Sequence, residues 1–354
     1  MRTKHNKMID DAGLLKNAWY VASLSEDIKS GKPVASIILE VPLVLWRTDT
    51  GSVKAILDRC NHRNAPLSKG HVKENCLVCP YHGWVYNGEG RCTTIPSEGP
   101  HTERIPNKKV EKFEVFEING LVWVWMGRDV EPEGQPFNVG KMPGNGWKGY
   151  YMVTKFNNDV TDLVENFMDV PHTAFVHKGW FRNANQLCIK ATVERTADSV
   201  LVTYLQENDS IGFSRWLLNP KGLPLKHTDN FYMPNNTQVE YIFGEYDKAF
   251  VITSTCTPVR PFETIVYTHI AYKFGWLNLL SKLFLPFYTR KVIEQDVWIM
   301  DVHGDNLKMF GEKAYKSTQA DALHVYIESL RKWAMHNGEI PRPAPIVKEI
   351  EFWI

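Results

Sequence analysis

The feature that most constrains this chain is two short pairs of metal-binding residues, Cys60 with His62 and Cys79 with His82, separated by the sixteen residues 63–78. Each pair brings one thiol and one imidazole close together. Two such pairs can hold a [2Fe–2S] cluster in which two cysteines bind one iron and two histidines bind the other. Because neutral imidazoles replace two anionic thiolates, such a cluster accepts an electron at a higher potential than an all-cysteine cluster. The spacing therefore predicts a one-electron relay, and a relay needs a destination.

A zinc site is the alternative interpretation of the same residues. Two cysteines and two histidines also bind structural zinc, and Cys76-x-x-Cys79 is formally a redox or zinc pair. The neighbouring residues favour the cluster, because Pro80 and Gly83 suit a tight loop around it. No helix with histidines three to five residues apart follows the cysteines, as it would in a zinc finger. Cys76 is then expected to be an ordinary buried thiol.

A second candidate metal site lies about ninety residues further along the chain, at His172 and His177. The histidines are five residues apart, so both imidazoles can reach one point if a preceding helix continues loosely past Pro171. Two histidines and one carboxylate, with the remaining positions open, form the facial triad that binds Fe(II) for oxygen chemistry. The alternative is that the two histidines are unrelated surface or core residues.

The segment before these histidines is crowded with acidic and amide side chains. Apolar residues at helical spacing predict a helix over 160–168, and carboxylates on such a helix are costly to bury without partners. We expect a metal and its outer shell to supply those partners, with a solvated acidic face as the alternative. The side chains concerned are Asp159, Asp162, Glu165, Asn166 and Asp169.

Composition and charge exclude several classes of protein. The 354 residues suffice for two domains, and 41 basic against 40 acidic residues give no reason to expect nucleic acid as a partner. Six cysteines in a chain of this length do not suggest a disulfide framework, which points to a reducing, cytoplasmic compartment. The charged N-terminus lacks the apolar core of a signal peptide, and no nucleotide-binding glycine motif occurs.

The longest apolar run, Phe274–Tyr288, is too short to span a membrane and is interrupted by Lys282 and Pro286. We expect it to form a buried or amphipathic helix. Contact with a membrane surface is the alternative.

Hydrophobic patterning predicts an α+β protein. Residues 17–128 are expected to form a small all-β domain, with strands at 41–47, 53–58, 110–118 and 121–126 and a hairpin turn at Asn119-Gly120. Residues 129–146 are expected to be a linker. Residues 147–354 are expected to hold an antiparallel sheet, with strands at 153–157, 189–194, 200–205, 239–243, 250–257 and 264–272, followed by helices at 276–304 and 318–336.

The stretch 58–84 resembles the cluster motif of the Rieske non-haem iron oxygenases, the ring-hydroxylating family. Rieske proteins of respiratory complexes carry a disulfide in the ligand loops, whereas the corresponding positions here are Asn64-Ala65 and Tyr81. The resemblance therefore implies a cluster toward the lower end of the Rieske potential range of about −150 to +300 mV.

The segment from Asn166 to His177 is similar to the mononuclear-iron motif of the same family. The resemblance implies that His172 and His177 are iron ligands and that Asp169 is a bridging carboxylate, hydrogen-bonded to His172 and to a cluster histidine. Asn166 belongs to the same motif. The third iron ligand would be a carboxylate on a late helix, for which we choose Asp296 with Asp301 and Asp305 as rivals.

The resemblance also implies fold, partners and reaction. It implies a Rieske domain followed by a catalytic domain with a helix-grip, START-like sheet, and a catalytic alpha subunit of the shorter type that lacks a small beta subunit. Within one subunit the two metal centres would be too distant, so the family's head-to-tail homotrimer is expected, with the cluster of one subunit beside the iron of the next. Electrons would come from an external ferredoxin or flavin reductase.

The expected reaction is O2-dependent mono-oxygenation, by hydroxylation or O- or N-demethylation, of an apolar or aromatic small molecule. Dihydroxylation or desaturation is the alternative within the family, and an electron carrier without oxygenase activity is the alternative of another class. Aromatic residues of the sheet and late helices are expected to line the pocket, namely Phe213, Trp216, Phe231, Tyr241, Phe243, Phe250 and Tyr267.

Overall fold

The structure is a computed structural model that describes residues 13–99, 108–127, 130–132, 134–180, 187–205, 224–244, 248–336 and 339–354. The chain divides into two compact units, Lys16–Asn138 and Val139–Ile354, the latter joined by the N-terminal segment up to Leu15. We call them the N-terminal and C-terminal units. Two residues expected in the pocket, Phe213 and Trp216, lie outside the described residues.

The N-terminal unit is all-β, as predicted, and consists of three small antiparallel sheets in the orders β1-β11-β10, β2-β3-β4-β9 and β5-β6-β7-β8. The hairpin between β10 and β11 turns at Asn119 and Gly120, which both have positive φ, as this type of turn requires. The strands are β1 Trp19–Leu24, β2 Val34–Ile38, β3 Val41–Arg47, β4 Val53–Leu57, β5 His71–Lys73, β6 Cys76–Val78, β7 Val85–Tyr86, β8 Cys92–Thr94, β9 Lys112–Phe113, β10 Val115–Ile118 and β11 Leu121–Trp125.

The C-terminal unit contains one antiparallel sheet of eight strands in the order β12-β18-β17-β16-β15-β14-β13-β19. The strands are β12 Lys148–Phe156, β13 Cys188–Arg195, β14 Ser199–Leu205, β15 Leu225–Tyr232, β16 Asn236–Phe243, β17 Lys248–Arg260, β18 Glu263–Lys273 and β19 Ile346–Trp353. In the described part of this unit three α-helices accompany it, α1 Val160–Met168, α2 Asn278–Phe310 and α3 Ala322–Met335. The α+β class and the antiparallel sheet with helices agree with the prediction.

Two strands of the eight-stranded sheet were not predicted from the sequence. In β15 the buried positions include His227, Thr228 and Asp229, so that the strand lacks an apolar pattern. In β19 only Ile350 and Phe352 are buried, because this strand forms one edge of the sheet and exposes its other residues.

Helix α2 is longer than predicted, because Gly304 does not interrupt it. A side chain at Gly304 would stand 2.4 Å from the backbone oxygen of Asn157, so glycine is needed there for close packing against the neighbouring segment. The helix ends instead at Gly311, which has the left-handed φ of 71° that favours glycine. Asp305, one of the rival carboxylates, therefore lies inside the helix.

Two hydrophobic clusters join the helices to the sheet. The first contains α1 and α3 residues such as Leu163 and Ile327 against sheet residues such as Phe231. The second contains Tyr272 and Phe274 with Leu285 of α2. Among the described residues, no helix combines the length and apolar composition needed to cross a bilayer.

The N-terminal end of α1 is held by a buried ion pair. Asp159 caps the helix by accepting hydrogen bonds from the N–H groups of Thr161 and Asp162, and Lys313 Nζ lies 2.6 Å from an Asp159 oxygen and 2.9 Å from an Asp162 oxygen. Tyr315 also donates to Asp162, at 3.1 Å. These carboxylates therefore have an ammonium as partner, and the expectation that a metal shell would satisfy them was wrong for both.

Burial shapes the titration of these two carboxyls. Burial opposes the ionisation of Asp159, but the Lys313 ammonium outweighs it and holds the pKa of Asp159 below its ordinary value. Burial and the neighbouring Asp159 raise the pKa of Asp162 to about 8. One buried cation thus compensates two buried carboxyls, of which one holds a proton near neutral pH.

Substituting Lys313→Met is expected to reduce stability by about 3 kcal/mol, since it leaves buried carboxyls without a partner. For a unit of this size the melting temperature should fall by roughly 6–12 °C. Without the ammonium both carboxyls have folded-state pKa values above their unfolded values, so stability is present at low pH and lost as the pH rises. The deficit should therefore be larger at about pH 8 than at about pH 5, as measured by thermal unfolding.

Lys308→Met is the matched control, because Lys308 pairs with Asp305 at 3.2 Å and that carboxylate is exposed. A change below about 1 kcal/mol is expected there. Equal losses in the two variants, or a deficit that shrinks with rising pH, would contradict the assigned role of Lys313.

Candidate metal centres and substrate cavity

The four predicted cluster ligands lie on two adjacent loops of the N-terminal unit. Cys60 and His62 follow β4, and Cys79 and His82 lie between β6 and β7. The rings of His62 and His82 approach to 4.4 Å between centroids, and both cysteines are buried. The structure thus brings all four predicted residues to one place.

The two loops close in the same way around their cysteines. The N–H of Cys60 donates to Ala65 O at 2.9 Å, and the N–H of Cys79 donates to Trp84 O at 2.8 Å. In the second loop Gly83 has a φ of +70°, which favours glycine, and its N–H donates back to Cys79 O at 3.1 Å. These backbone hydrogen bonds lie within each loop, so each loop holds its own conformation.

The free atoms of this site fit a [2Fe–2S] cluster. The Nδ1 atom of His62 is buried and has no hydrogen-bond partner among the described residues, which is a costly arrangement unless a metal binds there. The His62 ring stacks on Trp84 at 4.7 Å, so that its orientation is fixed. The Tyr86 hydroxyl lies 3.3 Å from Cys60 Sγ and can donate to it, which would stabilise a thiolate ligand.

The two other cysteines of this unit are ordinary thiols. Cys76 lies on β6, and burial raises its pKa. Burial raises the pKa of Cys92 to about 11. Both groups are therefore protonated near neutral pH.

The second candidate centre consists of His172, His177 and Asp296 in the C-terminal unit. Asp296 Oδ1 lies 3.2 Å from His177 Nε2 and 3.5 Å from His172 Nε2. The three potential ligand atoms lie within 4.8 Å of one another. A metal with bonds of about 2.1 Å places neighbouring ligand atoms about 3 Å apart when they subtend about 90°. The spacing therefore fits one metal ion.

The local backbone explains how the two histidines converge. Helix α1 ends at Met168, with Asp169 in extended conformation as its C-cap. A single 3-10 turn, Pro171–Ala174, then carries His172, and His177 follows it. The expected continuation of the helix past Pro171 is thus replaced by a break and a tighter turn.

The rival carboxylates have other partners. Asp301 accepts hydrogen bonds from the backbone N–H and the side-chain amide of Asn157, at 2.9 and 3.1 Å. Asp305 pairs with Lys308. Of the three candidates, Asp296 is the one that faces both histidines.

Hydrogen bonds around the histidines favour a cation at this centre. Gln295 Oε1 lies 3.0 Å from His177 Nδ1 and can accept a hydrogen bond from it, so that Nε2 is the ring nitrogen that faces the Asp296 carboxylate. A positive charge between the imidazole nitrogens and this carboxylate, from a metal ion or a proton, stabilises the arrangement. Asn166 Nδ2 also donates to Asp296 Oδ1 at 3.1 Å. Gln295 was not identified from the sequence, although it immediately precedes the chosen carboxylate.

Asp169 lies on the outer side of His172. It accepts a hydrogen bond from the His172 backbone N–H at 2.9 Å, and its Oδ2 is 3.2 Å from His172 Nδ1. Burial lowers the pKa of His172, but Asp169 and Asp296 outweigh it and raise the pKa to about 9. Asp296 remains ionised because the imidazoles overcome its burial and hold its pKa well below its usual range. The centre therefore strongly prefers positive charge.

A cavity opens beside the three ligands, between the sheet and α2. It is lined mainly by apolar side chains, which suits an apolar ligand. They are Met152, Phe167, Val170, Val239, Phe250, Ile252, Ile270, Val292 and Ile293.

The expected aromatic lining is present only in part. Tyr241 and Phe250 line the cavity. Phe231 and Phe243 lie further along the same face of the sheet and pack in the hydrophobic clusters instead. Tyr267 alternates with the lining residue Thr268 and so points to the opposite face.

Polar groups lie on the sheet wall of the cavity. Thr237, Ser254 and Thr268 are cross-strand neighbours on β16, β17 and β18 and form a row of hydroxyls. The hydroxyl oxygens of Ser254 and Thr268 are 3.3 Å apart. Sequence analysis did not identify this row, because it becomes visible only once the strand register is known.

Asp229 is a buried carboxylate on the same wall. Tyr204 donates to one oxygen at 2.8 Å, and His227 Nε2 lies 2.9 Å from the other. The His227 ring is stacked between Tyr204 and Tyr241, with 4.3 Å between centroids on each side. The carboxylate is therefore fixed from behind and presents an oriented acceptor to the cavity.

Comparison with known families agrees with the two ligand sets. Residues 18–119 match the Rieske [2Fe-2S] domain, and residues 159–332 match the vanillate O-demethylase oxygenase C-terminal domain. The first match contains all four cluster residues. The second contains His172, His177 and Asp296.

Relatives with described activities match part of the chain. A putative toluene-4-sulfonate monooxygenase iron-sulfur subunit from Comamonas testosteroni is 33% identical over 210 residues, which cover 58% of this chain and 56% of that protein. The oxygenase component of dicamba O-demethylase from Stenotrophomonas maltophilia is 38% identical over 169 residues, covering 46% and 48%. The chain thus spans about half the length of these relatives.

Solved structures agree with the fold over nearly the whole chain. Dicamba monooxygenase bound to dicamba superimposes with a TM-score of 0.78 at 21% identity, covering 91% of this chain and 98% of that one. A Pseudomonas putida protein crystallised with caffeine gives a TM-score of 0.77 at 20% identity and 98% coverage of both chains. At this identity the likeness shows the fold alone.

The two domain families bind a [2Fe–2S] cluster and a mononuclear iron, and the two ligand sets of this chain fit these cofactors. The resemblance inferred from the motifs is thereby confirmed. The chain belongs to the Rieske non-haem iron oxygenases.

Proposed function

We propose that this protein is the terminal oxygenase of a multicomponent system that uses O2 and electrons from an external ferredoxin or flavin reductase to mono-oxygenate an apolar or aromatic small molecule. The observation that carries the proposal is the convergence of His172, His177 and Asp296 at one end of an apolar cavity. A pure electron carrier would need neither the second metal centre nor the cavity.

The proposed ligands form two separate metal centres. We assign Cys60, His62, Cys79 and His82 to the cluster of the domain at 17–128, and the two histidines with Asp296 to iron in the domain at 147–354. When bound, the cluster would supply single electrons and the iron would activate O2. The remaining steps depend on side chains that orient these ligands and the substrate.

Asp169, Asn166 and Gln295 act as orienting groups. Gln295 fixes the tautomer of His177, and Asn166 restrains the carboxylate of Asp296. Asp169 holds His172 through its backbone and ring. Such contacts typically change metal affinity or activity by about 10–100-fold.

The cavity favours a flat apolar substrate with a hydrogen-bond donor. Its apolar walls exclude water, whereas Asp229 offers an acceptor from the sheet. The names of the relatives dicamba O-demethylase and toluene-4-sulfonate monooxygenase support mono-oxygenation. A 3-chlorobenzoate-3,4-dioxygenase subunit among the relatives, 35% identical over 169 residues, is the reason to retain dihydroxylation as the second candidate.

We further propose a head-to-tail homotrimer in a reducing, cytoplasmic compartment, in which the cluster domain of one copy docks beside the iron of the next. Phe175, three residues after His172, is 73% exposed. A surface groove lies next to the second centre and is lined by Val176, Trp180, Lys291, Glu294, Gln295 and Trp298. These residues offer a docking site of mixed apolar and charged character for a neighbouring cluster domain, and the six unpaired cysteines agree with the compartment.

The direct test is O2 consumption by the reconstituted protein with a reductase and a panel of aryl carboxylates, sulfonates, methoxy, N-methyl and steroid compounds. Product identification then distinguishes one inserted oxygen atom from two. Uptake that no compound stimulates, together with absence of mononuclear iron, would identify an electron carrier instead. A colourless protein that contains zinc would exclude both the oxygenase and the electron carrier.

His172→Ala is expected to remove the mononuclear iron and keep the cluster. The iron content should fall from about three to about two atoms per chain, while the visible spectrum of the cluster stays unchanged. The reason is that two remaining ligands hold a divalent ion poorly. His336→Ala is the matched control, because His336 is exposed and bonds only to the end of α3. Loss of iron in the control, or full iron in His172→Ala, would remove His172 from the centre.

Asp169→Asn is expected to retain the cluster spectrum and both metals yet lower product formation by at least about 10–100-fold. The amide keeps the shape of the side chain but removes the negative charge that faces His172 Nδ1 at 3.2 Å, and in the proposed trimer it would interrupt the contact between His172 and a cluster histidine. Cluster reoxidation in a single turnover measures the electron-transfer step directly. Asp301→Asn is the control, and near-normal coupled turnover in Asp169→Asn would exclude Asp169 from the electron path.

A further inference from the structure

The first half of helix α2 carries a large apolar surface that faces away from the rest of the C-terminal unit. The surface begins at Trp276, in the 3-10 turn just before α2, and continues through Leu283; these two residues are 83% and 79% exposed. Positions 276, 280, 283 and 287 recur at helical spacing and form one stripe. We call this stripe the α2 apolar face; it consists of Trp276, Leu279, Leu280, Leu283, Phe284 and Phe287.

The opposite side of the same helix segment is already buried. Ser281, Leu285 and Thr289 point to the sheet, and Leu285 packs in the hydrophobic cluster there. A helix segment that is apolar on both sides is normally covered on both. The six residues of the exposed face are each 41–83% exposed, and a contiguous apolar patch of this kind commonly marks an interaction surface.

The charged residues within the chain segment that carries the face are all basic, and the first acidic residue after it, Glu294, pairs with Lys291. From 264 to 293 the chain contains no aspartate or glutamate, whereas Lys273, Lys282, Arg290 and Lys291 all fall in this stretch. Lys282 is exposed between the apolar side chains. Arg290 and Lys291 bond to Thr154 and Glu294 and flank the face on its C-terminal side. The face is therefore apolar at its centre and cationic at its border.

We propose that the α2 apolar face docks the protein on a bilayer surface that contains anionic lipids. A helix that carries Trp, Phe and Leu on one side with basic residues beside them lies in the interface plane and is attracted to negatively charged headgroups. Trp276 stands at the start of the stripe, where an indole suits the headgroup region. The helix does not cross the membrane, since its other side belongs to the folded unit.

A second copy of this chain matches the face less well. In a two-fold contact the same face meets itself, so Lys282 and its basic neighbours would oppose each other. In the trimer proposed above, a neighbouring N-terminal unit would have to cover it. Within the described part of that unit, Tyr81 and Val130 are the large hydrophobic side chains that are exposed, and two residues do not form a matching apolar surface.

Vesicle flotation of the full-length, cluster-loaded protein tests the proposal. Vesicles of phosphatidylcholine with phosphatidylglycerol should carry the protein to the top of the gradient, vesicles of phosphatidylcholine alone should carry less, and salt should reduce the difference. Leu280→Ser with Leu283→Ser should lower the bound fraction at least about tenfold. Lys282→Glu should lower binding to the anionic vesicles by at least about fivefold.

Met309→Ser is the matched control, because Met309 is equally exposed on the same helix but lies beyond the face. Wild-type protein that floats with neither vesicle overturns the proposal. A second result would also overturn it: the wild-type protein is oligomeric and binds no vesicles, and the Leu280→Ser/Leu283→Ser variant is monomeric. The face would then join copies of the chain. Flotation needs no turnover, so its outcome is separate from that of the oxygenase proposal.

Discussion

The C-terminal unit depends on one electrostatic constraint, the meeting of two imidazole nitrogens and one carboxylate oxygen. His172 and His177 come from the turn after α1, and Asp296 comes from the middle of α2. A positive charge at this point, from a metal ion or from a protonated imidazole, joins two elements separated by more than a hundred residues. Asp169, Gln295 and Asn166 surround the ligands with hydrogen bonds, so that their orientation is set before metal binds.

Local sequence predicted those features that local interactions determine. The bounds of α1 were predicted correctly at 160 and 168 because its apolar residues recur at helical spacing and Asp159 caps it. The turn at Asn119-Gly120 was predicted because both residues tolerate positive φ. The four residues proposed for the cluster were chosen from spacing and loop chemistry, and the structure places them on two adjacent loops.

Features that depend on distant residues were missed. Asp159 and Asp162 gave a strong acidic signal, but their partner is Lys313, some 150 positions away, and no local pattern identifies it. Strand β15 lacked an apolar pattern because its buried face carries the polar groups His227 and Asp229. The cavity wall was therefore predicted as aromatic, whereas it combines apolar residues with a fixed carboxylate.

Helix α2 shows why one amphipathic pattern cannot describe a helix with several neighbours. Its buried side packs on the sheet, its middle supplies Asp296 and Gln295, and its first half presents a second apolar side outward. Leu283 and Asp296 are thirteen residues apart, or about 20 Å along the axis. The hydrophobic periodicity combines the contributions of all these contacts, so it predicts a helix without predicting what covers each side. The charge pattern distinguishes the two halves of the helix, because within it acidic residues are absent before Glu294 and frequent from there onward. One part of the helix is thus suited to an anionic surface and the other to a metal cation.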